Sequence, residues 1–365
     1  VTTPLGRKII DLIRVNGPIS VSEYFALCLG DPEFGYYRTR EPFGASGDFV
    51  TAPEISQLFG EMVGIFMILA WQAHGRPQTL QVVEIGPGRG SLMADLQRVI
   101  IELRPELAAT ANFHLVETSA RLQASQQKTL APGGLSNHWH ETLQSVPPGQ
   151  TLLVANELFD AIPIRQFVKD PDGFHERVIA VDEAEQLVFA SGLATIDREL
   201  LPVGTEIADG TIFETAPARN ALMEQIADRL VEEAGVGLII DYGHGQTAYG
   251  DTLQAVRNHR YEDVLASPGE ADLTSHVDFA ALGRAAKARG AHVAGPLTQG
   301  QFLLDLGLLE RAGALGAGKS LQVQQTIQQS VDRLAGGGEN QMGNLFKALC
   351  ILGSEKVILP FERPD

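Results

Sequence analysis

The feature that most narrows what this chain can fold into is Val82-Val83-Glu84-Ile85-Gly86-Pro87-Gly88-Arg89-Gly90-Ser91. An apolar run ends there in three alternate glycines and leads directly into a helical pattern from Ser91 to about Leu103. Glycine lets backbone turn sharply and approach a ligand closely, and a helix N-terminus offers unpaired N–H groups. A strand, glycine turn and helix in that order is the opening unit of an open, parallel α/β sheet that binds nucleotide-like ligands. Two further short apolar runs, Phe113–Val116 and Thr151–Ala155, are bounded by turn residues, as strands buried on both faces are. A helical pattern over about Ala120 to Thr129 separates them, and Asn137-His138-Trp139 marks a further strand. Strands alternating with helices predict a doubly wound sheet with right-handed crossovers.

The flanks differ. Leu5, Ile9, Ile10 and Ile13, then Val21, Tyr24, Phe25 and Leu27, recur at helical spacing on either side of Asn16-Gly17-Pro18, which predicts two short helices. A Gly- and Pro-rich stretch from Asp31 to Pro53 leads into an expected amphipathic helix from Pro53 to Ala73. From Arg165 to Thr215 the pattern is β-rich, and strand and helix signals resume at Leu222–Glu233, Gly237–Ile240 and Phe279–Lys287. Residues 1–77 are therefore read as a helical cap with a lid loop and 78–164 as the first part of the α/β core. Residues 165–217 are read as a β-rich insertion and 218–365 as the second part of the core. The basic run Arg257-Asn258-His259-Arg260 is read as a solvated helix end, with contact to an acidic surface of a substrate as the alternative.

Composition removes several classes. Lys and Arg number 28 against 45 Asp and Glu, a net charge of -17, which argues against nucleic acid as a partner because that affinity comes from basic groups on phosphates. The two cysteines, Cys28 and Cys350, form no metal-ligand spacing and no disulfide framework, so no metal is expected and a reducing, cytoplasmic setting is. The apolar segment Met62–Trp71 is far shorter than the roughly 20 residues that span a bilayer.

The ligand follows from the turn. A dinucleotide fingerprint needs glycine where Ser91 stands, and Glu84, two residues before the first glycine, would repel a pyrophosphate. S-adenosyl-L-methionine carries an ammonium, a sulfonium and a ribose but no phosphate, so the residues favour it over NAD. Glu117 closes the second strand, where an acid reaches ribose hydroxyls, and Trp139 either borders an adenine or anchors the core. Asn156, Glu157 and Asp160 follow the fourth strand, near the expected reacting centre; Asp160 is equally suited to capping a following helix. Asp48 and Glu54 belong to the lid loop. Asp241 and His244 end the fifth core strand, where they are candidates for a general base, His244 being equally suited to support a neighbouring group by a hydrogen bond.

With these residues in view, the chain resembles class I S-adenosylmethionine-dependent methyltransferases, and more narrowly the MidA family of mitochondrial complex I assembly factors and their bacterial relatives. The resemblance rests on Tyr36-Tyr37, Gly47 through Ser56, Phe59-Gly60-Glu61, Glu84 to Gly90 and Asn156 through Pro163. Asp241-Tyr242-Gly243-His244, Ala271 through Thr274, His276 through Phe279 and Thr298-Gln299-Gly300 extend it. It implies an α/β, Rossmann-like seven-strand core with an N-terminal helical cap and a β-rich insertion, holding the cofactor on the Gly86, Gly88 and Gly90 loop. It also implies methylation of an arginine on a protein partner, the mitochondrial relatives being linked to symmetric dimethylation of a quinone-module subunit of complex I. The paired-glutamate loop of common protein arginine methyltransferases is not evident, so Glu157 and Asp160 are the candidates for holding a guanidinium. The Asn-Pro-Pro-Tyr signature of amino-group methyltransferases is absent, since Glu157 and Leu158 follow Asn156. An assembly chaperone that binds the cofactor without essential catalysis, and a small-molecule methyltransferase, stay open as alternatives, as does an oligomer.

Overall fold

The computed structural model describes residues 3–39, 51–202, 207–338 and 341–361. They fall into two compact units: one within Val1–Phe49, Phe159–Ala221 and Gln246–Asp278, the other within Val50–Leu158, Leu222–Gly245 and Phe279–Asp365.

The second unit holds seven strands: β1 (Leu80–Ile85), β2 (Ala111–Val116), β3 (Asn137–His140), β4 (Thr151–Asn156), β5 (Val236–His244), β6 (His292–Thr298) and β7 (Phe346–Leu352). They are hydrogen-bonded side by side in the order β3-β2-β1-β4-β5-β7-β6. β3 to β5 pair in parallel and β7 runs antiparallel to both of its neighbours. Every residue of β1 is buried, as is every residue of β4 up to Ala155, which is why these segments read as continuous apolar runs. Order reverses between β1 and β4, the place where open α/β sheets bind ligands.

Helix α1 (Gln57–Ala73) starts after an extended Ser56 whose Oγ accepts from the Leu58 N–H; the short helix Ala52–Ile55 precedes it, with Pro53 in its first turn. The single amphipathic helix expected over 53–73 is thus two helices. Nor is α1 amphipathic, since twelve of its 17 residues are buried. It packs on α2 (Ser91–Leu103) through Gly60 and Gly64; a Cβ at Gly60 would lie 2.6 Å from Asp95 Cβ. Glu61 on α1 is fully buried and accepts from Arg98 Nη1 at 2.6 Å and from Arg311 Nε and Nη2 at 2.7 and 2.9 Å. Arg311 lies on the helix Leu308–Gly316, so one carboxylate ties three helices together. α3 (Ala120–Leu130) begins at Ser119, whose Oγ accepts from the Leu122 N–H.

The first unit joins the N-terminal helices to the β-rich segment. Helices Pro4–Asn16 and Val21–Gly30 flank the strand Ile19–Ser20, which pairs antiparallel with Gly173–Val181. That strand also pairs with Arg165–Asp170 and Leu187–Thr195, and Arg165–Asp170 with Ile212–Thr215. The core of this unit packs Ile9, Tyr24, Phe25 and Cys28 on Ile164, Ile179, Ala255 and Leu273. A buried Arg219 donates to the carbonyls of Asp160, Ile162, Ser275 and His276 and to Ser275 Oγ, pinning three distant segments together.

The compact units therefore divide the chain elsewhere than at residues 77, 164 and 217. Residues 1–77 split, because the helices before residue 31 bury their apolar faces with the β-rich strands while α1 buries its own on the sheet. Gln246–Asp278, expected within the core, builds a three-stranded antiparallel sheet of Arg260–Glu262, Gln254–Arg257 and Asp272–Thr274 in the first unit. The basic run is not a helix end: Asn258 and His259, at φ +50° and +60°, form the two-residue turn of a hairpin.

Burial raises the Glu61 carboxyl, but hydrogen bonds and charge from Arg311 and Arg98 outweigh it and hold the group below its ordinary value. Its contribution is present above the unfolded-state value and is lost as pH falls through the folded one. Replacing Glu61 with Gln leaves two guanidiniums short of their partner, with an expected loss of about 3 kcal/mol at pH 7 by urea unfolding. The gap from wild type should narrow as the pH drops below about 4.

Candidate functional site

The parallel register brings the strand ends level. Ile85 lies opposite both Val116 and Ala155, and Asn156 lies opposite Ile240. Gly86, Glu117, Asn156 and Ile240 form the next row, and Glu157 and Asp241 stand one position further, so the glycine turn and three carboxylates lie within two successive rows at the carboxyl edge.

Gly86, Gly88 and Gly90 take φ of +69°, +51° and +85°, the left-handed region that side chains disfavour. A Cβ at Gly86 would stand 2.8 Å from Leu158 Cδ1, and Gly90 caps the N-terminus of α2. Pro87 O accepts from the Gly90 N–H at 2.7 Å, closing the turn.

Around the turn the acids differ in how they are satisfied. Glu84 is buried, and its Oε2 has no hydrogen-bond partner among the described residues. Burial pushes its carboxyl from an ordinary 4.5 up to about 8, although the Met93 N–H donates to it. Asn156 Oδ1 is a second buried acceptor without a partner among the described residues, while Asn156 Nδ2 donates to Glu157 Oε1 at 3.1 Å. Glu117 Oε1 accepts from the Ser119 N–H at 2.7 Å, and its own N–H donates to His140 O. Glu157 sits at φ +49°, uncommon for a residue with a side chain, and its N–H donates to Ile240 O. Its Oε1 also accepts from the Ala52 N–H at 2.9 Å. Such strain persists only where surroundings enforce it and gathers at functional sites.

Glu54, in the helix Ala52–Ile55, is held against the turn: its Oε1 accepts from Ser91 Oγ at 2.6 Å and its Oε2 is 3.8 Å from Arg89 Nη1. Asp48 lies outside the described residues. Trp139 is partly buried on the core, and its Nε1 donates to Gln126 Oε1 at 2.8 Å. Asp241 is fully buried with its Oδ1 accepting from the Tyr242 N–H, and His244 closes β5 half-buried. Asp160 belongs to the first unit, where its backbone carbonyl accepts from Arg219 Nη2 and from the Ser275 N–H. No helix follows it; the chain turns from 157 to 164 and enters the strand Arg165–Asp170, so helix capping is not its role.

Sequence reasoning missed Gln126. This wholly buried amide donates from Nε2 to Gly88 O at 2.8 Å and to Glu117 Oε2 at 3.3 Å while receiving Trp139 Nε1. Its only signal in the sequence is a glutamine on a helix that follows an acidic strand end, which is common and undistinctive.

Residues 62–297 match the family described as "Putative S-adenosyl-L-methionine-dependent methyltransferase". The chain belongs to this methyltransferase family. Human "Protein arginine methyltransferase NDUFAF7, mitochondrial" is similar at 34% identity over 379 residues, covering 97% of this chain and 85% of the relative. The Danio rerio protein of the same name is 34% identical over 372 residues, covering 94% and 86%. A Burkholderia thailandensis crystal structure bound to S-adenosyl-homocysteine matches with a TM-score of 0.85 at 30% identity, covering 96% of this chain and 94% of that one. The cofactor of this methyltransferase family is S-adenosyl-L-methionine. The residues present fit it: a turn of left-handed glycines opens the edge of the sheet, and two buried acceptors, Glu84 Oε2 and Asn156 Oδ1, await donors.

Gly86→Val forces a β-branched residue into left-handed backbone, and S-adenosylhomocysteine affinity by calorimetry should fall at least about tenfold while the circular dichroism spectrum is kept. Between pH 4.5 and 8 the folded protein keeps a proton on Glu84 that the unfolded chain releases, so this group lowers stability as pH rises. Glu84→Gln should therefore be the more stable protein at pH 8, by about 3 kcal/mol in urea unfolding, with the difference shrinking toward pH 5.

Proposed function

We propose that this chain methylates an arginine side chain of a partner protein, a subunit of respiratory complex I, as a step in its assembly. The observation that carries this reading is similarity to protein arginine methyltransferases over 97% of the chain at 34% identity. Gly86, Gly88 and Gly90 would line the cofactor, with Glu84 and Asn156 toward its ammonium, Glu117 toward the ribose hydroxyls and Trp139 toward the adenine. When bound, S-adenosyl-L-methionine supplies an electrophilic methyl group on a sulfonium.

The remaining work falls to residues at the strand ends. A guanidinium is planar and cationic, and a carboxylate orients it through paired, charge-assisted hydrogen bonds. Glu157 is the candidate for that contact. The Ala52 N–H and Asn156 Nδ2 on its Oε1 fix the carboxylate, and its backbone strain sets the direction of the side chain. Methyl displacement asks for proximity and alignment above all. Asp241, within β5, and His244, at its end, are the candidates to receive the proton that leaves the guanidinium nitrogen. Glu54, fixed to Ser91, would stand beside the turn at the edge of the cofactor site. The buried thiols Cys28 and Cys350, both pushed upward by burial, suit a reducing compartment: the cytoplasm, or the mitochondrion that the relatives' names carry. No described helix is long and apolar enough to cross a membrane.

The test is transfer of labelled methyl into proteins of an extract from cells lacking the gene, with residue analysis of the labelled band. Label on an arginine of a complex I subunit is expected, and label only on small molecules would refute the reading. Glu157→Gln, which keeps an oxygen for the Ala52 N–H, should lower kcat about a hundredfold and leave S-adenosylhomocysteine affinity within about threefold of wild type.

A further inference from the structure

Gln126 joins three elements that the cofactor reading uses separately. Its amide spends both N–H groups on two acceptors, the Gly88 carbonyl of the turn and the Glu117 carboxylate of the β2 end, and its oxygen takes the Trp139 indole N–H from β3. Among side chains, a neutral primary amide supplies two donors and an acceptor at one point; glutamate would set acceptor against acceptor, and methionine would leave all three partners unmet. Holding the Gly88 carbonyl also fixes the peptide plane, so the Arg89 N–H, antiparallel across a trans peptide, is directed away from Gln126. The contact is tight: a Cβ at Gly90 would lie 3.3 Å from Gln126 Cα. The Ser119 N–H holds the other Glu117 oxygen, so the carboxylate is gripped at both ends.

We propose that Gln126 is a positioning residue that locks the glycine turn and Glu117 into one rigid frame, and thereby sets the preference of the site for a ligand bearing ribose hydroxyls. This rests on the reading that Glu117 faces the ribose. The amide acts through Glu117, not on the ligand.

The experiment measures, by titration calorimetry, the affinity of the full chain for S-adenosylhomocysteine and for its 2′,3′-dideoxyribose analogue. Wild type is compared with Gln126→Met, Glu117→Gln and the double variant. Wild type should prefer the hydroxylated ligand by about tenfold, the scale of one hydrogen bond to a charged group. Gln126→Met and Glu117→Gln should each erase that preference, and the double variant should lose no more than either single one. If Gln126→Met weakens both ligands equally and the preference survives, the amide is merely structural and the proposal falls while the role of Glu117 stands. If wild type shows no preference, the reading of Glu117 fails and the proposal falls with it. Should Gln126→Met fail to fold by circular dichroism, Gln126→Asn keeps a neutral amide but shortens its reach by one methylene, and the same ratio decides.

Discussion

The site depends on the in-register parallel pairing of β1 with β2 on one side and β4 on the other. Because every residue of β1 is buried, a shift of one position would exchange the two packed faces of the strand at once, and the register is held firmly. β1 and β2 therefore end level, β4 runs one residue further and β5 continues to His244, so the residues at and just past this level are delivered to the same edge. Chemistry gathered from positions 86, 117, 157 and 241 becomes local through backbone hydrogen bonding alone.

What the edge then does is decided by which polar groups are satisfied within the protein. Glu117 and Glu157 are held by backbone and side-chain donors, so their carboxylates are fixed before any ligand arrives. Glu84 Oε2 and Asn156 Oδ1 are buried acceptors without partners among the described residues, a costly arrangement in an interior and a favourable one where a donor is to bind. A buried carboxyl pushed up to about 8 is primed to ionise when a cation comes near. Positive φ at Glu157 places backbone strain on the same edge, while the three turn glycines take that region without it.

The first unit is organised by a different device. Arg219 takes a full charge into the interior and disperses it over the carbonyls of four residues from two chain regions, Asp160 and Ile162, and Ser275 and His276. Many well-placed acceptors offset the desolvation of a guanidinium, and the gain is a fixed geometry between segments more than 100 residues apart. The helices before residue 31 find their apolar partners in strands 140 or more residues later. This long-range closure makes the β-rich stretch part of a unit and not a detachable excursion.

Much of the core was legible. Continuous apolar runs bounded by turn residues gave β1, β2 and β4, and alternate glycines before a helical pattern gave the turn, because these are local consequences of burial on both faces and of left-handed backbone. Glu84, Glu117 and Glu157 followed from their places at strand ends. Three things lay beyond the sequence. The break at Ser56, the hairpin at Asn258-His259 and the absence of a helix after Asp160 are local conformations chosen by tertiary contacts. The division of the chain into units depended on which distant apolar face each helix would find. The amide of Gln126 looked like any polar residue on a helix until folding set the Gly88 carbonyl, the Glu117 carboxylate and the Trp139 indole around it. The sequence by itself determined where the sheet ends in glycine and acid, since periodicity and φ preference are written in neighbouring residues. Only the tertiary structure decided which buried acceptors are left waiting, because hydrogen-bond satisfaction is a property of residues brought together from far along the chain.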